Sequence, residues 1–387
     1  MLATRMNDLG TETAFEVFAQ AKTLEAQGKD VIHLEIGEPD FETPSHIIEA
    51  CQNAIQNNMT HYVPTPGIQE VRESIAKNIS TTRNINVDWQ NIVVTPGAKP
   101  IMFFTLLAIA EPGTEIIYPN PGFPIYESMI NFCQATAIPM KLDPNNGYHP
   151  DLDDLETKIN DKTRLIILNS PGNPTGGTIN QTELQKIVEL IEKYPNIYIL
   201  SDEIYKDILY NDKHISITSF KNMLEKTIIL DGLSKSYAMT GWRLGYGLFP
   251  ETLTPHAIKL AVNSVSCATA FAQAAIPAAL EGPQDELILM KKEFQTRRDL
   301  IVKGLNNIPG IYCPTPEGAF YAFPNIKETG LTSQKFEQDL LNKYGVALLA
   351  GTSFGKYGEG FVRISYANSQ ENINKALERL ADFVKQI

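Results

Sequence analysis

The sequence predicts an α/β fold with a mostly parallel central sheet covered by helices. Two observations carry that expectation. Short, continuously apolar runs recur along the chain, among them Leu165-Ile166-Ile167-Leu168 and Thr227-Ile228-Ile229-Leu230. They lack the polar–apolar alternation of a half-solvated strand, so they read as strands buried on both faces. Helical patterns separate these runs, as the crossovers between parallel strands require. A length of 387 residues suits a large α/β unit with a smaller companion rather than one small core.

The elements follow in order. Residues 1 to about 30 read as a helix, with Ala14, Val17, Phe18 and Ala21 at helical spacing. Val31-Ile32-His33-Leu34 then leads into the turn Gly37-Glu38-Pro39-Asp40. Pro44 opens a helical pattern through Ile47, Ile48, Cys51 and Ile55. Residues 62–67 form a loop punctuated by Pro64 and Pro66, and 71–79 a further helix. Ile92-Val93-Val94 is a strand, and Thr95-Pro96-Gly97-Ala98 a turn that opens a helix. The apolar stretch 101–110 is too short to span a bilayer and reads as a buried helix. Strands follow at 116–118, 165–168, 197–200 and 227–230. Between the second and third of these, Asn180 is placed as an N-cap with Glu183 three residues on, ahead of Leu184, Ile187, Val188 and Ile191 on one helix face. Near Asp285 a second unit begins with a charged helix through Arg297, Arg298 and Asp299. Strands near 319–323 and 362–365 and a closing helix complete it.

Composition excludes several partners. The formal net charge is -12, so no basic excess exists to bind nucleic acid or an anionic membrane. Any anionic ligand must be held by a local cluster of donors. Cys51, Cys133, Cys267 and Cys313 are scattered, which suggests neither a disulfide framework nor a metal site and fits a reducing cytoplasm. Asp8 and Glu12 interrupt the N-terminal segment, which lacks the apolar run of a signal peptide.

In parallel sheets ligands gather at the carboxyl ends of the strands. The turns there carry Gly97-Ala98-Lys99, the stretch 169–177, Asp202 to Tyr205, and Ser234-Lys235. Lys235 sits among small residues at the end of a strand, with Arg243 eight positions later and glycines on both sides. A lysine acts as a covalent amine when desolvation or nearby cations keep it neutral enough to attack a carbonyl, and Arg243 would clamp an anion beside it. Backbone N–H groups at the helix start after Gly97 attract phosphate. Asp202 fits either a helix N-cap or a carboxylate facing a ligand. Arg363 lies inside the apolar strand Phe361-Val362-Arg363-Ile364-Ser365. Burial there demands a partner, either a structural carboxylate or one on a ligand.

The run from Gly232 through Lys235 to Arg243 and Gly245 resembles the cofactor-lysine signature of the class I/II aminotransferases, which bind pyridoxal 5'-phosphate (PLP). Asn173-Pro174-Thr175-Gly176 is similar to that family's Asn-Pro-Thr-Gly element, and the likeness extends from Gly37 to Arg363. It implies a fold-type I PLP transferase, with residues 45–285 as the large PLP-binding domain and 1–44 with 286–387 as a small α+β domain built from both termini. It implies that Lys235 holds the cofactor covalently and moves the substrate's α-proton, that Asp202 faces the pyridine nitrogen, and that Tyr205 and Asn173 reach the ring oxygen. Phe123 would stack on the ring. Gly97, Ala98, Lys99, Ser234 and Arg243 would line the cofactor pocket, with Arg243 and the backbone carrying the phosphate. Gly232 stands where the family often has a serine that adds a phosphate contact. Arg363, with Gly37 and Asn173, would bind the substrate's α-carboxylate. Tyr62 would reach the cofactor phosphate of a neighbouring subunit, making a homodimer with shared active sites.

The activity so implied moves an amino group from an L-amino acid to a 2-oxo acid such as 2-oxoglutarate, by a ping-pong sequence. Lys99 matches a lysine that helps bind the distal carboxylate in some aspartate-active relatives, so aspartate leads among donors. Phe15 and Glu16 fall near positions where those relatives have small hydroxyl residues, and a glutamate there disfavours an acidic side chain unless it pairs with Lys99. Aromatic or small neutral donors, or a PLP carbon–sulfur β-lyase, are the alternatives. Two further patterns are set aside. Gly351-Thr352-Ser353-Phe354-Gly355 fits a nucleophile elbow, but no histidine follows it. Gly355-Lys356 lacks the spacing and the Ser/Thr of a phosphate loop.

Overall fold

The computed structural model describes residues 2–210 and 213–387. A two-residue strand, β1 (Ile32–His33), precedes the eight strands of the central sheet: β2 (Ile92–Pro96), β3 (Glu115–Asn120), β4 (Thr136–Asp143), β5 (His149–Pro150), β6 (Thr163–Asn169), β7 (Tyr198–Asp202), β8 (Thr227–Gly232) and β9 (Leu244–Leu248). Their spatial order is β2-β9-β8-β7-β6-β3-β4-β5. Parallel ladders join β4, β3, β6, β7 and β8, while β9 runs antiparallel to both its neighbours and β5 pairs antiparallel with β4 at the edge.

The apolar runs are buried on both faces because successive side chains enter different cores. Leu165 and Ile167 pack into one cluster, while Ile166 and Leu168 pack into another. Ile228 and Leu230 likewise separate from Ile229. The helix Gln181–Glu192 starts with the expected reciprocal cap: Asn180 accepts from Glu183 N–H, and the Glu183 side chain accepts from Asn180 N–H.

C-terminal to the sheet, the helix Asp285–Asn306 buries Met290, Phe294, Ile301, Val302 and Leu305. It is followed by β10 (Tyr321–Ala322), β11 (Val346–Ala347), β12 (Leu349–Ala350) and β13 (Val362–Ser365), and by the closing helix Gln370–Val384. β13 lies between β10 and β12, antiparallel to both, and β1 pairs in parallel with β11. The segment from residue 31 to the Gly37 turn is thereby fastened to the C-terminal strands.

One expectation needs correction, and several strands lie outside those expected. The N-terminal segment is not one helix to residue 30. A short 3-10 helix, Thr4–Asp8, is separated from the helix Thr13–Ala26, and Gly10 N–H between them donates to Ser128 Oγ at 2.8 Å. β4 and β5 were not anticipated, nor was β9. In β9, Gly245 and Gly247 hide the alternation of Leu244, Tyr246 and Leu248. A Cβ at residue 245 would lie 2.4 Å from Ala98 N, and one at 247 would lie 2.8 Å from Ile101. Glycine is required because the helix Lys99–Ile109 packs directly on this strand. Among the described residues no helix is long and apolar enough to cross a membrane, and no cluster of potential metal ligands occurs.

Candidate active site

A cavity of about 370 Å³ opens where the C-terminal ends of β6, β7 and β8 meet the C-terminal strands. Gly37, Ala98, Lys99, Phe123, Asn173, Asp202, Tyr205, Ser234, Lys235, Arg243 and Arg363 all line it. Gly97 lies under the Arg243 guanidinium, where a Cβ would meet Nη2 at 2.2 Å. Tyr62 stands apart, 90% exposed on its loop.

Asp202 ends β7 and is buried, and no helix follows it, so the N-cap reading is set aside. Tyr126 Oη donates to its Oδ2 at 2.5 Å, and Ile204 N–H to its Oδ1 at 3.2 Å. Burial nonetheless pushes this carboxyl up to about 6, against the pull of those two hydrogen bonds. Beside it, the Tyr205 and Tyr321 hydroxyls share a hydrogen bond of 2.8 Å.

Lys235 follows β8 and donates from Nζ to Gly37 O at 2.6 Å. Burial pushes its amine down to about 8; Glu38 opposes the shift, while Arg363 and Arg243 reinforce it. An amine in that range supplies a substantial neutral fraction near physiological pH, as covalent attack on a carbonyl requires.

Arg363 sits in β13 with its guanidinium between the Tyr321 and Phe354 rings, 4.7 and 5.0 Å from their centroids. Nη1 donates to Asn173 Oδ1 at 3.2 Å and Nη2 to Glu35 O. Its buried Nε has no partner, and no carboxylate among the described residues pairs with it. The structural salt bridge is thus missing, and a donor is left for an anion entering the cavity.

Arg243 is held at φ 54°, a left-handed conformation uncommon outside glycine. Its Nη1 donates to Thr240 O at 2.9 Å. The adjoining helix Lys99–Ile109 starts at Ala98 with no side chain capping it, so its N-terminal dipole is open to an anion. This donor set suits a planar, phosphate-bearing carbonyl compound such as PLP: an acid at one end, two hydroxyls at the side, a desolvated amine, and a cationic cradle with open amides.

The mouth departs from expectation. Glu16 does not meet Lys99; it faces a neighbouring pocket shared with Glu337. Glu12, one helical turn earlier, forms the ion pair with Lys99 instead. Phe15 lines the same mouth, and the Lys99 ammonium lies 5.5 Å over the Phe123 ring.

Sequence reasoning missed the support beneath the cavity. Arg83, the last residue of the helix Gln69–Arg83, donates from Nε to Glu203 Oε2 at 2.9 Å and from Nη2 to Asp231 Oδ2 at 2.8 Å. Lys206 joins Asp207 at 2.7 Å and Asp231 at 3.1 Å, and Ser236 Oγ donates to Asp207 Oδ2 at 2.7 Å. Burial opposes ionisation throughout. The pairing outweighs it, holding the Glu203 carboxyl well below its ordinary range and the Arg83 guanidinium above its own. Glu203 adjoins Asp202 in the chain and Ser236 adjoins Lys235, so this network fixes the backbone on which both functional groups ride.

A sequence-family model described as aminotransferase class I and II matches residues 29–380. Aspartate aminotransferase of Pyrococcus horikoshii is 40% identical over 368 residues, covering 94% of this chain and 92% of that protein. The solved structure of an aspartate aminotransferase from Rhizobium meliloti superposes with a TM-score of 0.95 at 33% identity, covering 100% of this chain and 99% of that one. An aromatic aminotransferase structure from Pyrococcus horikoshii gives 0.90 at 36% identity, covering 95% and 99%.

Proposed function

The chain belongs to the class I and II aminotransferase family and is a PLP-dependent aminotransferase, and on that premise we propose that it exchanges amino groups between L-aspartate and 2-oxoglutarate. The observation that carries the substrate reading is a pair of cationic side chains, Arg363 and Lys99, opening onto the one cavity that also holds the reactive amine. Both compounds carry two carboxylates, and each needs two cationic partners.

PLP, when bound, supplies an aldehyde for amine exchange and a protonated ring that withdraws electrons from the substrate's α-carbon. Lys235 Nζ would hold that aldehyde, and its amine, once free, would take the substrate's α-proton as base and return it as acid. Asp202 would pair with the ring nitrogen and keep it protonated. Tyr205 Oη and Asn173 Nδ2 would donate to the ring oxygen, and the Phe123 ring would stack on the cofactor. Arg243, Ser234 and the backbone around Gly97 and Ala98 would hold the phosphate. Arg363, seated by Asn173 and by the chain near Gly37, orients the α-carboxylate bidentately. Its orphaned Nε supports this reading.

Residues 45–285 act as the cofactor-binding unit and 1–44 with 286–387 as the smaller one; the pairing of β1 with β11 supports that division. Tyr62, almost fully exposed, supports a homodimer in which each copy lends this hydroxyl to the other's phosphate site. Free cysteines throughout support a cytoplasmic setting. The test is a single-turnover screen: loaded enzyme is mixed with each amino acid and its absorbance followed. Aspartate and glutamate are expected to convert the cofactor fastest. A faster conversion by tyrosine or alanine would remove the dicarboxylate assignment.

A further inference from the structure

We propose that Glu12 competes with the distal carboxylate of a dicarboxylate substrate for Lys99, and so sets how strongly the enzyme prefers dicarboxylates over monocarboxylates. Both side chains line the substrate cavity and form an ion pair there. The inference rests on the reading that substrate enters this cavity.

Glu12 is placed where a side chain ordinarily serves its own helix. It occupies the N-cap of Thr13–Ala26 with extended backbone, φ -98° and ψ 108°, yet makes no side-chain cap hydrogen bond. Its carboxylate reaches instead to Lys99, 87 positions away in the chain. The contact is therefore not needed to start the helix. The ends of the pair are unequally wetted, Lys99 at 47% and Glu12 at 19% side-chain exposure. An ion pair this open to solvent is screened and weak, so an incoming carboxylate can replace it.

The segment carrying Glu12 stays anchored when that happens. Gly10 N–H bonds to Ser128 Oγ at 2.8 Å, and the Arg5 guanidinium lies 5.4 Å over the Phe132 ring. A displaced Glu12 thus remains tethered beside the site and returns when the ligand leaves. A donor with an apolar side chain leaves the pair intact, with Phe15, Met102 and Phe123 among the residues lining the cavity to meet it. Glu12 also lies close enough for its charge to favour the protonated forms of Lys235 and Arg363.

The experiment is calorimetric titration of the PLP-loaded enzyme, as wild type, Glu12→Gln and Lys99→Met, with two ligands that do not transaminate: maleate, a dicarboxylate, and 3-phenylpropionate, a monocarboxylate. Glu12→Gln is expected to tighten maleate binding by about three- to tenfold and to leave 3-phenylpropionate within about twofold. Lys99→Met is expected to weaken maleate alone. Unchanged or weaker maleate binding in Glu12→Gln overturns the proposal. Single-turnover rates with aspartate keep the two readings apart. If wild type uses aspartate and Glu12→Gln gains nothing for maleate, the donor assignment stands and the competition falls. If wild type refuses aspartate but Glu12→Gln gains maleate binding, the competition stands and the donor assignment falls.

Discussion

Beneath the cavity, Arg83 pairs with Glu203 and Asp231, and all three side chains are at most 1% exposed. At its mouth, Lys99 pairs with Glu12 while nearly half of the lysine side chain meets water. The chemistry is the same in both places, and the energetics are opposite. Removing one partner of a buried pair strands a charge in a low dielectric and costs about 3–5 kcal/mol. Removing one partner of a wetted pair costs about 0–1 kcal/mol. The deep network is therefore a fixed joint, and the rim pair is an exchangeable contact.

Substitutions along this depth axis test the contrast. The largest effect belongs to the group the deep joint presents: Lys235→Ala is expected to lower the transamination rate by about 10⁴-fold or more, measured as single-turnover cofactor conversion. Borohydride fixation and peptide mapping of the wild type should place the cofactor label on residue 235. Next comes Arg83→Met, expected to lower stability by about 3–5 kcal/mol in denaturant unfolding at neutral pH. A loss below about 1 kcal/mol would erase the distinction between joint and rim.

Asp202→Asn is expected to slow transamination by about a hundredfold yet stabilise the cofactor-free protein at pH 8. The sign follows from its raised folded-state value of about 6 against an ordinary 3.8. Between those values the folded state holds a proton the unfolded chain has released, so stability falls as pH rises through this window and remains lower above it. Thermal unfolding of both cofactor-free proteins at pH 4 and pH 8 measures this. A gentler effect concerns the amine: incorporation of PLP into cofactor-free enzyme should accelerate with pH around a midpoint near 8, because burial depresses Lys235. At the rim, Glu12→Gln should change unfolding free energy by less than about 1 kcal/mol.

The legible parts of the sequence were those decided locally. β6, β7 and β8 are short apolar runs, and the Asn180–Glu183 cap is a four-residue pattern. β4 escaped because only Met140 of its eight residues is buried and Pro139 argues against a strand. β9 escaped because its glycines serve a helix contact visible only in three dimensions. The site divides the same way. Lys235, Asp202 and Arg363 stand in or just after strands and Asn173 in the Asn-Pro-Thr-Gly loop after β6, and all four are brought to one cavity. Tyr126 and Tyr321 act through partners 76 and 116 residues away, which no local pattern records. Glu12 was passed over for Glu16 because a single helical turn decides which acid faces Lys99. Arg83 carried no local signal, because its partners lie 120 and 148 residues away.

Arg83 meets Glu203 and Asp231 across separations of 120 and 148 residues. Dry carboxylates without enough counter-charge are strongly disfavoured, and Arg83 supplies it to both acids, with Lys206 adding to Asp231. Docking of the helix Gln69–Arg83 is thus coupled to drying of the C-terminal ends of β7 and β8, and contacts this distant in sequence form slowly. A nascent chain that ends short of residue 231 lacks at least one of Arg83's two carboxylate partners, so this buried joint closes only after β8 has emerged.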